Sequence, residues 1–220
     1  MAIGLALFGL IPGLARLLVA LAGDPEAAQA TDSGASPWPG IVHAASGTSF
    51  VVLGAFQFPL ALRRSRRTWH RRIGRLLVPL GLMAAISALW LSLFYPDLRD
   101  SGALLTAFRL AFGTAMAASI LAGLAAIRRR DISRHRQWMI RAYALGLGAA
   151  TQVFTLGFGG ALLGQGVLST ALLSGAAWVI NLAIAEWAIR RRPRPTHGPA
   201  VASPLAQYAD AATTSEGSSS

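Results

Sequence analysis

The chain has no cysteine and no lysine, and only 9 of its 220 residues are acidic. Without cysteine there can be no disulfide, no thiolate nucleophile and no Cys-ligated zinc or iron–sulfur cluster. Charged residues make up 13% of the chain, whereas a soluble domain carries about a quarter. Apolar residues make up 54%, and the charges fall in short clusters between long uncharged stretches. The composition therefore indicates an integral membrane protein.

Six uncharged stretches are long enough to cross a hydrocarbon core, which takes roughly 20 helical residues. Helices are required because a lipid-exposed backbone must satisfy its own hydrogen bonds. The fold class that we predict is all-α, an integral membrane bundle of six transmembrane helices within residues 1–195. The predicted spans are 2–22, 41–62, 76–95, 104–127, 142–163 and 167–189. Residues 196–220 are rich in Ala, Ser and Thr and are predicted to form a disordered cytoplasmic tail.

The first stretch also has a feature of a signal peptide. It contains Arg16 and is followed by Ala28-Gln29-Ala30, a small-x-small pattern typical of a cleavage site. Its apolar run is longer than a signal core and no basic segment precedes it, so we favour a retained helix. The spans from residue 76 onward do not depend on this choice.

Arginine is concentrated in three connecting segments. Residues 63–75, 128–141 and 190–194 contain every arginine except Arg16, Arg99 and Arg109. By the positive-inside rule these segments face the cytoplasm, which places both termini on the cytoplasmic side of the cell membrane. The expected partners are the lipid bilayer and its anionic head groups. Nucleic acid is not expected as a partner, because the arginines that give the formal charge of +11 flank apolar spans and do not form a basic face on a soluble module.

Polar residues inside apolar spans are costly and therefore mark candidate functional positions. The sequence contains no nucleotide-binding loop, metalloprotease motif or hydrolase elbow, so a non-enzymatic role is favoured. The polar residues form groups by predicted depth. Those near the cytoplasmic face are Gln57, His70, Arg75, His135, Arg141 and Glu186; those near the outer face are His43 and Arg109; Thr151, Gln152 and Asn181 lie between.

Two histidines, His70 and His135, open similar basic motifs, each just before a helix that starts at the cytoplasmic side. If spans three and five were neighbours, the imidazoles could ligate one b-type haem, with adjacent arginines pairing its propionates. Interfacial residues that meet lipid phosphates are the favoured alternative. A second haem is excluded, because His43 has no outer partner and His197 lies in the polar tail. No metal site is predicted.

Glu186 is predicted to lie about one turn from the end of span six. Arg190 follows it at i+4, and a local ion pair along one helix face is the favoured interpretation. In the alternative, Glu186 reaches Arg75 or Arg141 on other helices, because a carboxylate buried in the bundle would need such a partner.

Arg109 is predicted to lie about one turn into span four from the outer side. The favoured interpretation is that its side chain extends outward to Asp97 or Asp100. If it faces the bundle instead, His43 is its natural companion, and the two would form a cationic outer pocket for a small anion or a quinone-like head group.

Three classes of function remain open at this point. The first is a non-enzymatic or uncharacterised membrane bundle whose His/Arg/Glu set organises the cytoplasmic side. The second is a single-haem electron-transfer protein. The third is a transporter for a small solute, which often has interrupted helices in corresponding halves, although no convincing sequence repeat is present. Small residues around 146–150 and 157–161 are interpreted as helix-packing surfaces.

The chain resembles a bacterial family of predicted membrane proteins that is catalogued as a domain of unknown function. The resemblance covers about residues 40 to 190. It rests on His43 opening a helix that ends Gly54-Ala55-Phe56-Gln57-Phe58, on the HRxxGR motif at 70–75, on the HRxWMxR motif at 135–141, and on the closing Trp178, Asn181 and Glu186. It implies a multi-helix membrane fold with a shared His/Arg set on the cytoplasmic side, and no known reaction.

Overall fold

The computed structural model describes residues 38–57, 67–95, 102–164 and 166–191. Within these ranges the chain forms α-helices and no strand, which confirms the all-α fold class. The helices are α1 Trp38–Ala55, α2 Arg67–Phe94, α3 Gly102–Arg128, α4 Ile132–Gly146, α5 Gly148–Leu163 and α6 Val167–Arg190. The predicted span 2–22, the small-x-small pattern after it and the predicted tail 196–220 lie outside the described residues.

Several of these helices can cross a membrane by length and composition. Thr68–Phe94, Gly102–Arg128 and Val167–Arg190 each do so alone. The pair α4 and α5 forms a further apolar unit, bent by 41° at Leu147. Large apolar side chains such as Ile86 and Leu162 are exposed on the helices, as expected of side chains that face lipid. The chain is therefore a membrane protein with several apolar helices.

Two helices begin earlier than the hydropathy of the sequence indicates. α2 starts at Arg67 and α4 at Ile132, so His70 and His135 lie inside helices and not just before them. Arginine lowers hydropathy but has a high helix propensity, so the basic motifs extend the helices beyond the apolar spans.

A tight turn joins α3 to α4. Arg130 adopts a left-handed conformation with φ of 60°, its N–H donates to Ile127 O, and the N–H of Asp131 donates to Ala126 O. This is the hydrogen-bond pattern of a Schellman motif, which ends a helix sharply. The Asp131 carboxylate then accepts from the backbone N–H of Arg134 at 2.9 Å and caps α4. The turn folds α4 back against α3.

The first four helices form a ring in the order α1, α2, α3, α4. α1 packs on α2, α2 on α3, and α3 on α4. α4 closes the ring on α1, where the Tyr143 hydroxyl donates to Val51 O at 2.9 Å. Two pairs of helices, α1 with α3 and α2 with α4, therefore lie across the ring from each other.

Large side chains that pack against glycines stabilise the ring. Phe50 of α1 reaches both Gly81 of α2 and Gly146 of α4, and Ile120 of α3 also meets Gly81. Phe50 is 3% exposed and Ile120 is fully buried, so these four residues form the central layer of the ring. The name Phe50 layer is used for them below. Glycine allows this approach because a Cβ at either site would overlap the phenyl ring.

α6 packs outside the ring, against α3 and the α4–α5 unit. Its Trp178 stacks on Phe112 of α3, with ring centroids 5.0 Å apart, and also lies against Gly148. Phe108 of α3 meets Gly175 of α6 in the same manner. The small residues at 148 and 159 are packing sites as predicted from the sequence, whereas Gly157 has open space around its Cα.

Candidate functional site

His70 and His135 hold equivalent sequence positions on α2 and α4. His70 precedes Gly81, and His135 precedes Gly146, by the same eleven residues. Eleven residues make three helical turns, so each histidine shares the face of a glycine that receives Phe50, about 16 Å along its helix. The two positions therefore face the interior from α2 and α4, across the ring. They are not on adjacent helices, the arrangement considered from the sequence.

The imidazole of His135 is oriented by the neighbouring helix. Its Nδ1 lies 2.8 Å from the Gly123 carbonyl oxygen of α3. A carbonyl can only accept, so Nδ1 carries the proton in this contact. In the neutral ring, Nε2 then keeps its lone pair, which is the usual state of a metal-ligating histidine.

Gln57 brings an unpaired amide to the same end of the ring. It follows Phe50 by two helical turns, so it lies on the side of the Phe50 layer nearer to His70 and His135. Its Nε2 and Oε1 are both buried, and neither has a hydrogen-bond partner in the described structure. This end of the ring therefore contains a buried polar group that no described residue satisfies.

An ion pair links the ring to α6. Arg141 donates from Nε to Glu186 Oε1 at 2.5 Å and from Nη2 to Oε2 at 3.1 Å. The guanidinium lies over the Trp138 ring, 4.8 Å from its centroid. The two charged side chains remain 23% and 33% exposed. Of the sequence alternatives for Glu186, the structure thus forms the one with Arg141, while Arg75 lies exposed on α2.

A second polar link lies beyond the helix break at Leu147. The Thr151 hydroxyl of α5 donates to Asn181 Oδ1 of α6 at 3.0 Å. The amide nitrogen of Asn181 is buried without a partner in the described structure. Asn181 and Glu186 are five residues apart and therefore point in different directions around the axis of α6. Viewed along that axis, Trp178 points in a direction between the two. These two links do not form one pocket.

At the end of the ring opposite to Gln57, called the outer end below after its predicted orientation, α2 holds His43 of α1. The Nδ1 of His43 lies 2.9 Å from Ala84 O and 3.3 Å from Ser87 Oγ. His43 precedes Phe50 by two turns and therefore lies on its outer side, opposite to Gln57.

Arg109 of α3 lies at this outer end as well, partly buried. It precedes Ile120 by eleven residues and so shares its interior-facing side, about 16 Å outward. Asp97 and Asp100, the acceptors that the sequence favours, lie outside the described residues.

The described residues contain no group of three or more His, Asp or Glu side chains that could hold a metal ion. Sequence reasoning missed the break at Leu147 and the contacts of His43 and His135 with helix carbonyls. The break had a signal, since Leu147 lies between Gly146 and Gly148. The carbonyl contacts had none, because they depend on which helices become neighbours.

Comparison with known proteins places the chain in a family. No curated protein and no solved structure matches it. The family described as "Predicted membrane protein (DUF2306)" matches residues 40–189, which include all the polar positions described above. The chain belongs to this family of membrane proteins, whose function is unknown.

Proposed function

We propose that the protein is a six-span bacterial inner-membrane protein with both termini in the cytoplasm and that it binds one b-type haem between His70 and His135 for electron transfer. The observation that carries the haem proposal is that each histidine precedes, by the same eleven residues, a glycine that contacts Phe50. The cytoplasmic assignment of this end follows from the arginine-rich segments next to it.

The histidine geometry supports axial ligation. Both histidines occupy interior-facing positions three turns from the glycines of the Phe50 layer. The carbonyl of Gly123 holds His135 by Nδ1, which directs the lone pair to Nε2, the nitrogen that would bind iron. His43 belongs to the other end of the ring, so the residues fit one haem and not two.

Arginines of the same motif are available for the carboxylates of such a cofactor. Arg71, Arg72 and Arg75 of α2 are exposed at the end of the helix that carries His70. Guanidinium groups form paired hydrogen bonds with carboxylates, so these residues would orient the propionates towards the cytoplasm. Bound haem supplies one-electron transfer, and the chain's part is to ligate it and exclude water.

An absorption spectrum of detergent-purified protein from haem-replete cells tests this function. We expect a Soret band in the wild type that is lost in His70→Ala and in His135→Ala. His43→Ala is the matched control, because it removes an imidazole at the opposite end and should leave the band unchanged. A colourless but folded wild type would refute the haem proposal and leave the membrane topology standing.

Topology is tested separately with reporter fusions. Fusions within residues 63–66 and after residue 195 should report a cytoplasmic location, and fusions within residues 96–101 an outer one. The same arginine-rich segments are proposed to contact anionic head groups, since Arg128, Arg129 and Arg134 are exposed at the α3–α4 turn. A periplasmic signal from residues 63–66 would overturn the orientation.

The bend between α4 and α5 favours a second candidate function, transport of a small solute. Transporters commonly bind substrate where a membrane helix is interrupted, and here the 41° bend lies between two polar links to α6. Flux into proteoliposomes tests it, with Asn181→Leu expected to reduce the rate. Flux equal to that of empty liposomes for a panel of small anions and neutral solutes would remove this candidate.

A further inference from the structure

Arg109 places a positive charge among residues that face the inside of the ring. Leu105, one turn before it, is 4% exposed, and Met116 and Ile120, two and three turns after it, are 7% and 0% exposed. Met116 and Ile120 reach the glycines of α4 and α2 respectively. Helical periodicity therefore puts Arg109 on the buried side of α3, near the outer end of the ring.

No described residue compensates this charge. Within residues 38–57, 67–95, 102–164 and 166–191, Arg109 has no ion-pair or hydrogen-bond partner. The acidic residues of those ranges are Asp131, which caps α4 at the opposite end, and Glu186, which pairs with Arg141. A charged group in a membrane span is costly unless it is paired or reaches water, and Arg109 is partly buried with no acidic side chain of these ranges beside it, so it is a candidate to bind an anion.

The neighbouring polar groups limit what that anion can be. The hydroxyls of Ser87 and Ser92 donate to carbonyls of their own helix, and His43 Nδ1 faces the carbonyl of Ala84. Among the arginines that the structure describes, Arg109 is the one at this end of the ring, and its guanidinium can donate hydrogen bonds to a ligand. Its planar fork matches two oxygens of a carboxylate or a planar oxyanion better than a spherical ion.

We infer that the outer end of the ring is a binding site for a small carboxylate or planar oxyanion, held by the two-pronged guanidinium of Arg109. This site is separate from the haem proposal, because Arg109 lies on the other side of the Phe50 layer from His70 and His135. The inference stands whether or not haem is bound.

Thermal unfolding of the purified protein, with sodium formate replacing sodium chloride at constant ionic strength, tests the inference. We expect formate to raise the unfolding midpoint of the wild type in a saturable manner. Arg109→Gln should abolish the rise, and Arg109→Lys, which keeps the charge but loses the fork, should weaken formate binding by about tenfold. Arg190→Gln, which changes an exposed arginine at the end of α6, is the matched control and should behave as the wild type.

Asp97 and Asp100, which precede α3 in the sequence, provide the result that would contradict the inference. If Asp97 or Asp100 is the true partner, the wild type will show no rise, and Asp97→Asn/Asp100→Asn will gain one. That result would overturn the inference, as would a rise that persists in Arg109→Gln. If Arg109→Gln does not fold, Arg109→Lys is compared in formate and in chloride instead. A formate effect weaker than that of the wild type supports the inference, and an effect as large as that of the wild type overturns it.

Discussion

Replacing Gly81 by alanine should destabilise the protein, although alanine is the better helix former. A Cβ at this position would lie 2.7 Å from Ile120 Cδ1 and 2.7 Å from Phe50 Cε2. Neither neighbour has room to retreat, since Ile120 is fully buried and Phe50 is 3% exposed. Overpacking of this kind costs about 1–3 kcal/mol. The gain from helix propensity is about 1 kcal/mol, so the expected net loss is between zero and about 2 kcal/mol.

Gly74 is the matched control on the same helix. A Cβ there would meet nothing within 4 Å. Gly74→Ala should therefore show the propensity gain alone and stabilise the protein by about 0.5–1 kcal/mol. The two alanine variants change α2 by the same methyl group, so the difference between them isolates the contact with Phe50 and Ile120.

Reversible unfolding in mixed micelles, followed by tryptophan fluorescence, measures both free energies. The variant Gly81→Ala/Phe50→Leu should recover part of the loss, because a smaller side chain opens space at the new methyl group. A Gly81→Ala protein as stable as Gly74→Ala would refute the packing argument. It would show that the Phe50 layer is looser than the contacts described above require.

Three further predictions concern the α3–α4 turn and the link to α6. Arg130→Gly should stabilise the protein by about 1 kcal/mol, because a left-handed φ of 60° strains a residue with a Cβ. An equal stabilisation by Arg128→Gly, which lies within α3, would contradict this reason. Asp131→Ala should lower the free energy of unfolding by about 1 kcal/mol in the same assay, because the side-chain cap of α4 is lost. Asp131→Asn keeps a capping oxygen and should retain most of the wild-type stability. A loss of equal size in both variants would show that the charge of Asp131, and not its capping hydrogen bond, matters. Glu186→Gln should lower folded yield in membranes and reduce stability by about 1–2 kcal/mol, since a partner of Arg141 is weakened, and unchanged yield and stability would remove the structural role of this pair.

The sequence predicted the apolar helices well because hydropathy is a local property. Predicted spans 104–127 and 167–189 coincide closely with α3 and α6, which are uncharged over nearly their whole length. Agreement was poorer where charge and helix formation diverge, as at Arg67–Arg75 of α2, where arginines lower hydropathy without ending the helix. The break at Leu147 was not predicted, because the glycines on both sides of it also suit close packing of a continuous helix.

The candidate sites depend on tertiary structure to different degrees. The polar residues themselves, among them His70, His135, Arg109 and Glu186, could be named from the sequence, because polar groups in apolar spans are conspicuous. Their partners could not. Two kinds of partner were predicted for Glu186, and its contact with Arg141 depends on the packing of α6 beside α4.

The sequence by itself determined that the chain is a helical membrane protein, because the length of each apolar stretch and the need to satisfy every backbone hydrogen bond leave little choice. Only the tertiary structure decided which faces meet. The contacts of Phe50 with Gly81 and Gly146 fix how α1, α2 and α4 are placed along one another. They put Arg109 at the opposite end of the ring from His70 and His135, because contacts between distant parts of the chain set the register of neighbouring helices.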